Sequence, residues 1–503
     1  MNRIFRKAAA VLTAAVMAVS MVTFSASAED SRQKLPDNEA MTFVDAMGAG
    51  WNLGNAFDAW AATTPSDELK LETSWCGAKT TKELIKTVKN AGFNTIRIPV
   101  SWHNHVDKDY NISSKWLDRV KEVVDWCLDE GLYVIVNIHH DNDKNNYAYY
   151  RPSKAEQTQS VKYIKSIWTQ VSAAFKDYGE KLIFQGMNEP RLTGSANYEW
   201  WYDKNNVPNE VKEALELINL YNQTFVDAVR ASGGNNAKRY LMIVGYAAKN
   251  DELGTLSPYF KMPTDTVKNR LIADAHYYGI GVKTSPAVID GLYKAYSSKG
   301  IPVVISEYGL NENGYKYSDN TDVAVARMGD FYGYARNRGI SVIVWDNNYG
   351  GKGISNSHKF IDRATAKVIT PEIVSAVTKA GAPALAVNKT TASTEKSTTA
   401  STASSSSKNT GTTASGAAFK VTAKSTAAKK VTLSWSKVSG ATKYAVYQYK
   451  DGKYKVLTNK LTKNSVTVSG LTSGTEYKFL VRAYVNGKWT AATSKEIVKV
   501  TAK

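Results

Sequence analysis

The feature that most constrains this chain is a regular alternation of short β-branched runs with amphipathic stretches across about 350 residues. The strand-like runs are Met47–Leu53, Thr95–Val100, Tyr133–His140, Leu182–Glu189, Tyr240–Ala247, Leu271–Tyr278, Pro302–Gly309 and Ser341–Asn347. Helix-like stretches between them include Thr81–Ala91, Lys115–Glu130, Lys154–Tyr178, Val211–Ala231, Pro286–Ser298 and Asp322–Arg338. Gly92, Gly131, Gly179, Gly233, Gly300 and Gly339 follow the last apolar turns, where a helix needs a residue free of Cβ strain to stop. Eight strand–helix units of this size predict an α/β fold, a (β/α)8 TIM barrel. The rival, a doubly wound open sheet, usually offers a Gly-rich phosphate turn after its first strand. Gly48-Ala49-Gly50-Trp51 does not supply that pattern.

The ends of the chain read differently. Arg3, Arg6 and Lys7 precede an apolar run from Ala8 to Phe24 and the small residues Ala26-Ser27-Ala28. That order predicts a secretory signal peptide over residues 1–28, cleaved near Ala28, and hence an extracellular protein. No later stretch is apolar enough to span a bilayer. From Leu385 to Gly416 the chain becomes Ser, Thr, Ala and Lys with little to bury, so a flexible linker is expected between a catalytic domain at 29–384 and a second domain at 417–503. Two cysteines, Cys76 and Cys127, are too few for a disulfide framework or a cysteine zinc site; export permits one bridge, and two isolated thiols are the competing reading.

The net charge of +18 is not spread evenly. Ala417 to Lys503 holds 17 basic and 3 acidic residues, whereas Glu29 to Ala384 holds 41 basic and 42 acidic. Basicity therefore belongs to the tail. It suggests weak attraction to acidic cell-wall polymers, with nucleic acid the less expected partner for an exported chain.

In a barrel of this type the C-terminal strand ends form the working face. Here they are polar: Arg97 with Ser101, Trp102 and His103 after strand two, His139-His140-Asp141 after three, Asn188-Glu189-Pro190 after four, His276-Tyr277-Tyr278 after six, Ser306-Glu307-Tyr308-Gly309 on seven, and Trp345-Asp346-Asn347 after eight. Charges recurring in one register at one end of successive strands would be costly to bury without use. Two carboxylates without a nucleotide motif suit glycoside hydrolysis, where one carboxyl protonates the departing oxygen and the other attacks carbon or activates water. The histidines raise metal-assisted hydrolysis as a rival. No H-E-x-x-H motif is present, and adjacent strand residues His139 and His140 are expected on opposite faces, so neither a metal nor any cofactor is expected.

Gly50-Trp51-Asn52-Leu53-Gly54-Asn55, Gly92-Phe93-Asn94-Thr95-Ile96-Arg97-Ile98-Pro99, Asn188-Glu189-Pro190, His276-Tyr277-Tyr278 and Ile305-Ser306-Glu307-Tyr308-Gly309 together resemble glycoside hydrolase family 5. Trp102-His103-Asn104-His105 and Ile138-His139-His140 are similar to its subfamily 4 endoglucanases. The likeness covers roughly Thr42 to Gly381. It implies a retaining double displacement with Glu189 as acid/base and Glu307 as nucleophile. Arg97 would keep Glu307 ionised and Tyr278 would orient it, while apolar surroundings would keep the proton on Glu189. Asn188 would reach the sugar 2-hydroxyl, His139 and His276 would hold the substrate and the two Glu, and Trp345 would stack under the sugar. Trp51, Trp75, Trp102, His103 and His140 are further subsite candidates. The implied activity is that of a secreted, monomeric endo-β-1,4-glucanase acting on β-glucan, with xyloglucan, mixed-linkage glucan, xylan and mannan as alternatives. A non-catalytic glycan-binding protein is the reading from another class; it would not need both Glu.

Beyond Phe419, strand-like runs appear at Val431–Trp435, Tyr444–Tyr449, Ser465–Val468, Tyr477–Tyr484 and Lys495–Val500, with turns at Asp451-Gly452, Ser473-Gly474 and Asn486-Gly487. With Trp435, Leu471 and Arg482-Ala483-Tyr484 they resemble a fibronectin type III sandwich, an immunoglobulin-like all-β fold. Its role reads as a spacer or as a glycan contact through Tyr447, Tyr449 and Trp489.

Overall fold

The computed structural model describes residues 32–142, 148–279, 285–310, 321–350, 358–383, 421–436, 438, 441–450, 453–485, 488–489 and 497–503. The expected signal peptide and linker, and the turns at Asp451-Gly452 and Asn486-Gly487, lie outside those residues. The chain divides into two compact units, Met1–Thr391 and Ala392–Lys503. No helix among the described residues is long and apolar enough to cross a membrane.

In the first unit, parallel strands β1 (Gly50–Asn52), β2 (Thr95–Ile98), β3 (Tyr133–Asn137), β4 (Leu182–Gln185), β5 (Leu241–Lys249), β6 (Leu271–Tyr278), β7 (Val303–Gly309) and β8 (Ile340–Val344) close into a barrel in sequence order. Around them lie α2 (Leu71–Ser74), α3 (Lys82–Asn90), α4 (Ser114–Asp129), α5 (Gln157–Ala174), α6 (Asn209–Ala231), α7 (Ser285–Ala295), α8 (Thr321–Arg336) and α9 (Pro371–Ala380). The α/β barrel expectation holds. Gly92, Gly131, Gly233, Gly300 and Gly339 take positive φ at helix ends, whereas Gly179 does not.

Two features depart from the sequence reading. The first strand begins at Gly50, not Met47, because Met47 ends an unanticipated helix α1 (Glu39–Met47), capped by Asn38, whose Oδ1 accepts the Met41 N–H at 3.0 Å. After β8, a short hairpin of β9 (Ile361–Asp362) and β10 (Lys367–Val368) precedes α9.

Helix α1 explains how the barrel is filled. Its Ala40, Phe43, Val44 and Met47 form one apolar cluster with Ile135, Ile183, Met242, Ile272, Val304 and Ile343, the inward residues near the strand starts. Phe43 stacks on Tyr240 at 3.8 Å between ring centroids. The helix is thus the floor of the barrel, and each large side chain buried there contributes roughly 1.5–3 kcal/mol. Gly50 permits this packing, since a Cβ there would stand 2.8 Å from Ile343 Cγ1. The alternate strand residues, such as Ile96, Ile98, Val134, Val136, Leu182 and Phe184, face outward into the larger core beneath the helices.

The second unit pairs β11 (Val421–Ala427), β12 (Lys430–Trp435) and β15 (Ser465–Ser469) in one antiparallel sheet. The other holds β14 (Lys453–Leu461), β13 (Ala441–Lys450), β16 (Glu476–Val485), β17 (Lys488–Trp489) and β18 (Ile497–Thr501). Val431, Leu433 and Trp435 of the first sheet and Tyr444, Val446, Phe479 and Val481 of the second share one core. Strands β11 and β14 were not evident from the sequence, because the inward positions of β11 include small Ala423 and Ser425 and β14 exposes Val456 and Leu457 in succession, so neither shows a clear apolar alternation.

Candidate active site

Two residues beyond the apolar floor, the inward positions become polar. Asn52, Arg97, Asn137, Gln185, Asp274 and Ser306, from six strands, are all buried. Arg97, fully buried, organises this layer. Its Nε donates to Gln185 Oε1 at 2.8 Å, Nη1 to Asn52 Oδ1 at 2.9 Å and Glu307 Oε1 at 2.7 Å, and Nη2 to Asn188 Oδ1 at 2.6 Å. Asn137 Nδ2 donates to the same Gln185 oxygen at 3.0 Å, and Gln185 Nε2 donates to Asp274 and to Ser306 Oγ. A guanidinium enclosed this way has no low-cost alternative position.

Glu307 reaches the barrel mouth by a register change. Strict alternation with inward Val304 and Ser306 would turn it outward. However, β6 and β7 pair Ala275 with Ile305 and then His276 with Glu307, so β7 carries one extra residue. Such a bulge re-aims a side chain, and here it brings Ser306 and Glu307 into the same site. Glu307 then accepts from Arg97 on one oxygen and from Tyr278 Oη at 2.6 Å on the other. Burial, reinforced by the Glu307 carboxylate beside it, holds the Tyr278 hydroxyl well above its ordinary range.

Glu189 follows the end of β4. Its backbone carbonyl accepts from Asn142 Nδ2 at 2.9 Å and Arg191 Nη1 at 3.1 Å. Its Oε1 lies 3.0 Å from His276 Nδ1, and the same nitrogen is 3.6 Å from Glu307 Oε2. Carboxylate oxygens of Glu189 and Glu307 lie within 4.8 Å of each other. Its surroundings are not apolar, contrary to the sequence expectation: Arg191 stands 3.7 Å from Oε2. Burial pushes Glu189 up, but His276, Arg191 and Arg97 outweigh it and hold the carboxyl below its ordinary value. For His276 burial pulls down, yet Glu307, Glu189 and Asp274 leave the ring above its usual value. The two therefore titrate as one unit around a shared proton.

The walls are aromatic. Trp345 is half-buried and parallel to the His139 ring at 5.9 Å. Gly54 makes room for it, because a Cβ there would lie 2.6 Å from the indole. Asn137 Nδ2 donates to His139 Nδ1 at 3.0 Å, which places the ring proton on Nε2. Trp75 is 40% exposed and stands 5.6 Å from the His140 ring, while half-buried Trp60 stands 5.9 Å from His103 and 6.4 Å from Trp75. Burial keeps both His139 and His140 neutral, the latter pulled down to about 4.

Three candidates do not fit a substrate-contact role. Trp51 is fully buried: it alternates with inward Asn52, so it points into the outer core and donates its indole N–H to Asp346 Oδ2 at 2.9 Å. Trp102 is likewise core, bonded to the Asn137 carbonyl at 2.9 Å. His103 is 5% exposed, 3.5 Å from Asp141, and supports Trp60. Arg191, Asn142, Gln185 and Trp60 were not anticipated; for Arg191 the available signal was a cation directly after Asn188-Glu189-Pro190.

The premise used against a shared ion also fails. Strand β3 stops at Asn137, alternation ends with it, and the His139 and His140 rings lie 4.4 Å apart. With Asp58 they place possible ligand atoms within 4.8 Å of one another, as do Glu189, His276 and Glu307. Cys76 and Cys127 are buried free thiols.

Comparison with known proteins agrees with this geometry. Residues 60–351 match the model for cellulase (glycosyl hydrolase family 5), and residues 416–499 that for the fibronectin type III domain. The chain is 34% identical to Endoglucanase A of Clostridium longisporum over 388 residues, 73% of this chain and 70% of that one. Among solved structures, a family 5 lichenase from Caldicellulosiruptor sp. F32, with cellotetraose, is 46% identical with a TM-score of 0.64, covering 70% of this chain and 97% of that chain. A GH5-4 broad specificity endoglucanase from Ruminococcus champanellensis with bound cellotriose is 36% identical with a TM-score of 0.61, covering 69% and 100%. A closed eight-stranded barrel whose mouth gathers two carboxylates, joined to a fibronectin type III domain, places this chain in glycosyl hydrolase family 5, as a glycoside hydrolase.

Proposed function

We propose that this protein is an exported, retaining endo-β-1,4-glucanase, with Glu307 as nucleophile and Glu189 as acid/base. The observation that carries the reading is the approach of the two carboxylates to within 4.8 Å, with His276 between them. Retaining enzymes hold their carboxyl groups at roughly 5–5.5 Å, whereas inverting enzymes leave room for a water at about 6.5–9.5 Å.

In the first step Glu307, kept anionic by Arg97 and aimed by Tyr278, attacks the anomeric carbon. The glycosidic C–O bond breaks as Glu189 delivers its proton to the leaving oxygen. In the second, Glu189 takes a proton from water, the hydroxide oxygen bonds to the anomeric carbon, and the sugar–Glu307 ester bond breaks, regenerating both groups. Arg97 occupies the Asn188 oxygen, so the Asn188 amide would donate to a sugar hydroxyl. Trp345 would carry the apolar face of the sugar, and neutral His139 would donate from Nε2. Trp75 and His140 would line an adjoining subsite.

The glucan-bound lichenase and broad-specificity relatives support a β-1,4-linked glucose backbone as substrate, with lichenan and xyloglucan as graded alternatives. The apolar leader ending at Ala28 supports export. The lysine excess of the fibronectin-like domain supports weak attraction to acidic wall polymers. The test is covalent trapping. A 2-fluoro cellobioside should esterify Glu307, identified by peptide mass, and purified β-glucans should lose viscosity with retention of β-configuration in the first product. Label on another residue, or an inverted product, overturns the assignment.

A further inference from the structure

Among the described residues, one arginine beside the two carboxylates has no part in the steps above. Arg191 lies in the loop after β4. Its Nε donates to Glu199 Oε1 at 3.2 Å, its guanidinium carbon sits 3.9 Å over the Trp200 ring, and Nη1 holds the Glu189 carbonyl at 3.1 Å. Glu199 is itself tied down by the Gly194 N–H at 3.0 Å. An arginine bonded, stacked and paired on three sides loses little further freedom when it acts.

We infer that Arg191 is a positioning residue for Glu189, clamped by Glu199 and Trp200 so that its charge faces the oxygen that passes a proton to the leaving sugar. The inference rests on the acid/base reading of Glu189. Oε1 is engaged by His276 at 3.0 Å, which leaves Oε2 to meet the substrate. Arg191 stands 3.7 Å from Oε2. That distance is too long for a hydrogen bond, so the oxygen stays available, yet short enough for strong attraction. As the proton departs, negative charge grows on Glu189 opposite a fixed positive charge. A preorganised charge of this kind favours the transition state more than the ground state. Among the described residues, His276 and Tyr278 on β6, Glu307 on β7, Arg97 on β2 and Tyr150 after β3 also face Glu189, with neutral His139 and His140 nearby. Of the two arginines beside it, Arg97 is already bonded to Glu307, whereas the Arg191 side chain turns toward Glu189. Trp200, 48% exposed, covers the guanidinium from the solvent side.

The test compares phenyl β-cellobioside, whose leaving group needs a proton, with 2,4-dinitrophenyl β-cellobioside, whose leaving group does not. In Arg191→Met, kcat/KM on the phenyl substrate should fall about tenfold while the dinitrophenyl substrate stays close to wild type. Arg191 is one of the charges that lower the Glu189 pKa, so its removal should move the basic limb of kcat/KM upward. Arg191→Lys, keeping the charge, should restore the limb. Equal losses on both substrates with an unmoved limb overturn the inference, because a purely structural arginine would act that way. Should Arg191→Met not fold, Trp200→Ala carries the same comparison, with the same selective loss expected and equal losses again fatal. Glu189→Ala run beside them separates the two claims: if it spares the dinitrophenyl substrate and Arg191→Met does not, only the role of Arg191 falls. If Glu189→Ala itself fails to discriminate, the acid/base assignment falls first.

Discussion

His276 Nδ1 lies 3.0 Å from Glu189 Oε1, and this contact couples the histidine to the carboxylate. Its other ring nitrogen meets Ser306 Oγ at 3.1 Å, so the imidazole is fixed from below while it faces both carboxylates. Under the acid/base role proposed for Glu189, the proton that the leaving oxygen needs is shared between this histidine and this glutamate.

Linkage follows from the two directions. Glu189 is held below its ordinary 4.5, so its stabilising contribution is present above that value and fades as pH falls through the folded-state pKa. His276 is held above 6.5, so its contribution is complete below that value and fades as pH rises through the folded-state pKa. Thermal unfolding should show this pair's contribution at a plateau between those values, and Glu189→Gln should flatten it at both edges. In Glu307→Gln, with one carboxylate charge removed, NMR titration should find His276 protonating at lower pH than in the wild type. An unchanged His276 titration would contradict the coupling.

Arg97→Lys should fold with difficulty and turn over slowly. A lysine cannot supply the four bonds made to Gln185, Asn52, Glu307 and Asn188. At least about a hundredfold loss in kcat is expected, the scale of losing a preorganised donor at developing charge. Stopped-flow turnover on an aryl cellobioside measures it; a loss under threefold would show that Arg97 is not engaged at the reacting centre.

Trp51 and Trp345 should separate cleanly under substitution. Trp51→Phe removes a buried indole bonded to Asp346, so calorimetry should show a drop of about 1–3 kcal/mol with KM nearly unchanged. Trp345→Ala should raise KM on cellotetraose and leave the unfolding temperature close to wild type. The reverse pattern would return Trp51 to the substrate.

Gly54→Ala places a methyl 2.6 Å from the Trp345 indole. Overpacking of this kind costs about 1–3 kcal/mol if the ring cannot move. The ring has an open side, so the larger effect should be on kcat/KM, read against unfolding temperature in the same samples.

The barrel was legible because strand and helix periods alternate without interruption, and so were Arg97, Glu189, His276, Tyr278 and Glu307, which stand at strand ends. The finer placement was partly legible. Alternation across Trp51-Asn52 already requires one of them to face outward, and the indole is the one that does. Alternation misleads at Glu307 and at His139-His140. A bulge resets the first and the end of β3 releases the second, and neither leaves a mark in the local residue pattern. Arg191 escaped notice because its role depends on Glu199 and Trp200, whose approach is set by a loop fold rather than by any period. The strand reading began at Met47, the last residue of helix α1, because its apolar side chain continues directly into the strand, and the rest of that helix was not assigned.

That helix has a consequence for how the molecule assembles. Phe43 and Met47 meet Ile135, Ile183, Met242, Ile272, Val304 and Ile343, residues spread over most of the unit's length. Such contacts bring little reward until distant strands have been gathered, and chains dominated by them form slowly. The first helix of the barrel unit is therefore among the last elements to settle, and ring closure is complete only when β8 reaches it. A chain shortened past Asn38 would lose its latch, and the open underside would expose apolar surface during every refolding attempt.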